Sequence, residues 1–97
     1  MTTPTWTVGD TSPALTGTVA ANLTGATLEA HVRWKDGTVL SRAATATDPT
    51  AGAWEMAWQT GDLTVIGPAV VELEVTFSSG EVQTFGLSGI HVRDELA

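Results

Sequence analysis

Between Thr27 and Lys35 apolar and polar residues alternate without a break. Leu28, Ala30, Val32 and Trp34 fall on one side of an extended chain; Glu29, His31, Arg33 and Lys35 fall on the other. A helix would scatter both sets around its axis. The period of two therefore commits the segment to a strand with one buried and one wet face, as in an antiparallel sheet.

The same rhythm returns along the chain. Lys35-Asp36-Gly37-Thr38 is a hairpin turn and predicts a return strand over Thr38 to Thr45. Asp48-Pro49-Thr50-Ala51-Gly52 is a second turn. Trp54, Met56 and Trp58 then share one side of Ala53 to Gln59. The run from Gly61 to Pro68 breaks the alternation and predicts a crossing between sheets. Val71, Leu73, Val75 and Phe77 oppose Glu72, Glu74 and Thr76 in Ala69 to Phe77. Ser78-Ser79-Gly80 turns into Glu81 to Leu87, and Ile90 to Asp94 closes the series. With Thr5 to Val8 and a weaker stretch from Ala14 to Ala20, about seven short strands emerge. Their spacing predicts an all-β fold, an immunoglobulin-like antiparallel β-sandwich, as a single domain over residues 1–97.

Composition narrows the function classes. Eleven acidic residues against four basic ones give a net charge of −7 and a pI near 4.4. Nucleic acid and anionic membranes demand a basic surface, so neither is an expected partner. The chain has no cysteine, which removes disulfides, thiolate metal sites and a cysteine nucleophile. Met1-Thr2-Thr3-Pro4 carries no basic residue and no apolar stretch, so no signal peptide is expected and synthesis is expected in the cytoplasm.

His31 and His91 lie in alternating stretches among charged neighbours, which reads as solvated strand faces. Neither has a second histidine at i+2 or i+4, so no metal and no cofactor is expected. Gly86-Leu87-Ser88-Gly89 approaches a nucleophile elbow but has the wrong spacing. Glu72 and Glu74 stand about 7 Å apart on one strand face, within the range of glycosidase carboxylates. Such a pair also needs a groove, which a small sandwich does not readily supply, so no catalytic residue is expected. Asp10, Asp36, Asp48 and Asp62 follow no calcium-loop spacing and suit turns. Gly9-Asp10-Thr11-Ser12-Pro13 precedes no lysine and no helix, which excludes a phosphate cradle.

The tryptophans remain. Trp34, Trp54 and Trp58 occupy inward positions and read as core. Trp6 lies ahead of the first Gly-Asp turn, as a staple for the first strand or an exposed anchor for a neighbouring subunit. Trp6 and four residues of the irregular Gly61–Pro68 corner, Asp62, Leu63, Val65 and Ile66, are the candidate partner-binding residues. If two or more tryptophans are exposed, a carbohydrate-binding or host-surface adhesion module becomes the alternative.

One order of short motifs spans nearly the whole chain. Gly9-Asp10-Thr11-Ser12-Pro13-Ala14-Leu15 leads to Leu23-Thr24-Gly25-Ala26-Thr27, then to Trp58-Gln59-Thr60-Gly61-Asp62-Leu63. Val71-Glu72-Leu73-Glu74-Val75-Thr76-Phe77, Gly80 and Val82-Gln83-Thr84-Phe85 follow. This order resembles the immunoglobulin-like N-terminal domain of phage baseplate upper proteins and related small virion proteins. The chain departs from that pattern at Gly67-Pro68-Ala69 and at Thr84-Phe85-Gly86. The resemblance implies a non-enzymatic structural protein of a tailed phage particle, located in the virion. Its implied partners are capsid or tail subunits, met in many symmetric copies as a capsid decoration or a tail or baseplate component.

Overall fold

The computed structural model describes residues 3–87 and 89–94, so Ser88 lies outside the described residues. The chain is nearly all β: β1 (Thr5–Thr7), β2 (Leu15–Thr18), β3 (Thr27–Arg33), β4 (Val39–Asp48), a 3₁₀ turn (Pro49–Ala51), β5 (Ala53–Met56), β6 (Gly67–Thr76), β7 (Val82–Gly86) and β8 (Ile90–Arg93). Among the described residues, no helix is long and apolar enough to cross a membrane.

The strands form one curled sheet in the order β1-β8-β6-β3-β4-β5-β2, with β7 branching from β6. Curling follows from two long strands that change partners midway. β4 pairs with β3 over Val39–Ala44, then with β5 from Thr45 onward, with a bulge between Ala46 and Asp48. β6 pairs with β8 over Gly67–Ala69, then with β3 over Val70–Thr76. Hairpins join β3 to β4 and β6 to β7. Each has a three-residue loop closed by two backbone bonds. The Trp34 N–H donates to the Thr38 carbonyl and the Gly37 N–H to the Trp34 carbonyl; likewise the Phe77 N–H donates to Glu81 and the Gly80 N–H to Phe77.

One sequence expectation is corrected here. The eight strands agree with the number expected, but the sheet is mixed rather than antiparallel. β1 runs parallel to β8, with Trp6 opposite Val92. Nearly the whole chain separates these two strands, so no hairpin turn dictates their relative direction.

The inner faces meet in a single core. Val32, Val71, Leu73, Val75, Trp54, Met56, Leu63 and Val92 are almost wholly excluded from solvent. Their burial supplies the main stabilising term, roughly 1.5–3 kcal/mol for each large aliphatic side chain. Trp58 links the two arms of the curl: its ring lies 5.4 Å from Trp6 of β1, edge to face, and 6.2 Å from Trp34. The Trp6 indole N–H donates to the Pro13 carbonyl at 2.8 Å. Two glycines are required by space. A methyl group on Gly17 would press within 3 Å of the Trp54 ring. Gly52 ends the 3₁₀ turn at φ +78°, and a methyl there would overlap the Val19 carbonyl oxygen.

Candidate functional site

The five residues singled out as partner contacts do not form one surface. Trp6 is 5% exposed, Asp62 6% and Leu63 0%, so burial moves these three from contact surface to frame. Trp6 is the staple of the first strand, because the curl seats its ring on Trp58. Asp62 is buried because it organises its corner. Its carboxylate accepts from Arg42 Nη2 at 2.7 Å, Arg42 Nε at 3.4 Å and the Gln59 N–H at 2.8 Å. The broken alternation at Gly61–Pro68 therefore marks an ion-paired corner clamped to β4. Val65 is half-buried against the core, and Ile66 is exposed.

Three further aspartates serve turns. Asp10 accepts from the Thr7 N–H, Asp36 from the Thr38 N–H and hydroxyl, and Asp48 from the Thr50 hydroxyl. The Thr38 hydroxyl, followed by its N–H, holds the Asp36 carboxyl below the usual carboxylate value. All four tryptophans are buried, so the exposed aromatic platform needed for sugar stacking is missing from the described residues.

The outward face of β4, β3, β6 and β7 carries exposed apolar side chains and a cluster of ionisable ones. Its rows follow from the register: Val39–Arg33–Val70, then Ser41–His31–Glu72–Gly86, then Ala43–Glu29–Glu74–Thr84. The first row puts two exposed valines, Val39 (59%) and Val70 (45%), on either side of Arg33. A shallow groove of about 70 Å³ lies between them, lined by His31, Arg33, Val39, Val70 and Glu72. Ile66 enters β6 four residues ahead of Val70 and is 49% exposed. A separate cleft of about 180 Å³ lies between β2 and Ile90 of β8, walled by Leu15, Trp54, Val71 and Leu87.

The second and third rows gather ionisable groups. His31 Nε2 stands 3.3 Å from Glu29 Oε1 and 4.0 Å from Glu74 Oε2. Its Nδ1 is 2.8 Å from Ser41 Oγ. The three ligand-type atoms of Glu29, His31 and Glu74 lie within 4.8 Å of one another, close enough to share one small cation. Ser41, His31 and Glu29 also follow the order of nucleophile, base and acid. Yet they sit open on a strand face, and the outward neighbours of Ser41 along β4, Val39 and Ala43, offer no side-chain donor to an oxyanion.

Sequence reasoning missed this cluster. Glu29-x-His31 and Glu72-x-Glu74 each place two groups on one strand face, but only the pairing of β3 with β6 brings them together. Arg42 was missed as well, although a lone arginine among Leu40, Ala44 and Ala46 on the inward side of β4 was its signal.

Comparison of the chain with protein-family models, with curated proteins and with solved structures gave no match.

Proposed function

We propose that this chain is a non-enzymatic structural module of a tailed bacteriophage particle, binding capsid or tail subunits in many symmetric copies. The observation that carries the reading is the apolar row on the outer face. Val39 and Val70 flank a groove beside Arg33, and Ile66 stands at the entrance of β6. Two exposed valines lining a notch with Arg33, His31 and Glu72 suit a docking surface on a protein neighbour. The order of motifs from Gly9-Asp10 to Thr84-Phe85, similar to the baseplate upper-protein domain, supplies the phage context.

The same reading takes the curled sheet as an immunoglobulin-like sandwich. Supporting it are the partner changes midway along β4 and β6, which are how strands pass from one layer to another. Carbohydrate binding has no such support, because its platform would have to come from tryptophans that are buried.

Quantitative mass spectrometry of separated capsids and tails tests the proposal. A copy number on capsids commensurate with icosahedral symmetry makes the chain a decoration protein. A multiple of three or six on tails makes it a tail or baseplate component. Absence from both fractions overturns the virion reading.

A further inference from the structure

We propose that Glu29, His31 and Glu74 form a binding site for a divalent transition-metal ion of the zinc class on the outer face of β3 and β6. Three observations converge on it. The first is spacing. Ligands held tetrahedrally at about 2.0–2.2 Å from zinc stand about 3.3–3.6 Å apart. His31 Nε2 is already 3.3 Å from Glu29 and 4.0 Å from Glu74. Both carboxylates are about half exposed and free to swing the remaining distance.

The second is the orientation of the imidazole. With the proton on Nδ1 donated to Ser41 Oγ at 2.8 Å, the Nε2 lone pair is left facing the two carboxylates. A carboxylate, carbonyl or water oxygen usually takes the far N–H of a metal-bound histidine, and the Ser41 hydroxyl oxygen stands in that place here. The third is charge. Glu29 stands opposite Glu74 and Glu72 stands opposite His31, in direct register. Like charges opposed across a ladder destabilise it. Arg33 is the one cationic side chain that the adjoining row supplies, and among the described residues no arginine or lysine forms an ion pair with these three glutamates. A bound dication offsets that repulsion.

The donor set selects the metal. One imidazole nitrogen with two carboxylates suits zinc and its neighbours, whereas calcium prefers six to eight oxygens. β3 is paired on both sides, by β4 and β6, so the ligands project from a braced strand. With three protein ligands on an open strand face, solvent water completes the coordination.

Titration of zinc into the metal-free protein by calorimetry, with cobalt absorption as a report of geometry, tests the site. One zinc per chain is expected, with cobalt giving a four- or five-coordinate visible spectrum. His31→Ala should weaken binding more than about 100-fold, and Ser41→Ala about 10-fold. His91→Ala should bind as the parent does, and a large excess of calcium should not displace zinc. Ser41 and His91 are exposed and His31 is half-buried on the same outer face, so each variant is expected to keep its fold, which its melting curve checks. Absence of zinc binding at millimolar concentration overturns the proposal. So does binding that survives His31→Ala or is lost with His91→Ala.

Discussion

The two faces of the β3–β6 pair share one backbone ladder and differ in everything else. Inward, Leu28, Ala30 and Val32 stand against Val75, Leu73 and Val71, and none of the six is more than 4% exposed. Outward, Glu29 meets Glu74, His31 meets Glu72 and Arg33 meets Val70. The inner face is apolar: hydrophobic side chains fill it and the curl seals it with tryptophan, at the cost of leaving the buried Trp54 and Trp58 indole N–H groups without an acceptor among the described residues. The outer face holds opposed carboxylates, a histidine and exposed valines. Such a contrast separates the part of the molecule that holds the fold from the part left free to bind.

Changes to the inner face should cost most. Trp54→Ala removes a side chain that is 1% exposed, and is expected to destabilise by about 3–5 kcal/mol in denaturant unfolding. A loss below about 1 kcal/mol would mean that the curl tolerates a void at its centre. Arg42→Ala comes next, because it strands the buried Asp62 carboxylate with only the Gln59 N–H as partner. The expected loss is about 1–3 kcal/mol, read from the same unfolding curves.

A smaller and pH-dependent effect belongs to the β3–β4 hairpin. Because the Asp36 carboxyl is held below its ordinary value, its ionised form stabilises the fold at pH values above the unfolded-state pKa. That contribution disappears as pH falls through the folded value. Asp36→Ala should therefore lower the melting temperature slightly at pH 7, and the difference from the parent should shrink towards about pH 2. A difference that grew on acidification would contradict the assignment to Thr38. Smallest of all is the outer face. Val39→Asp with Val70→Asp, at positions already exposed, should leave unfolding within about 0.5 kcal/mol of the parent.

The contrast between faces was legible in part. Strict alternation in Thr27 to Lys35 and Ala69 to Phe77 names the buried Leu28, Ala30 and Val32 of β3 and Val71, Leu73 and Val75 of β6. It does not name the buried Ala69, and it turns Phe77 inward where that ring is half-buried; Trp34, Trp54 and Trp58 are core as expected. Pairing was not legible. Nothing local tells Glu29 that Glu74 is its neighbour, because register between segments more than forty residues apart is decided by the whole core. The parallel pairing of Trp6 with Val92 escaped for the same reason. At Gly61–Pro68 the broken alternation was read as a contact surface, whereas Asp62 and Leu63 turn inward. A corner closed by a buried ion pair and a corner left open for a partner break the period-two pattern alike. Arg42 on the inward side of β4 distinguishes them.

The central claim is that the outer row, not the tryptophan core, meets the particle. Co-sedimentation of the parent protein and the Val39→Asp, Val70→Asp double variant with purified capsids and tails tests it most directly. The account predicts that the parent pellets with one of these fractions, while the folded double variant stays in the supernatant. Equal pelleting of the two proteins would contradict it.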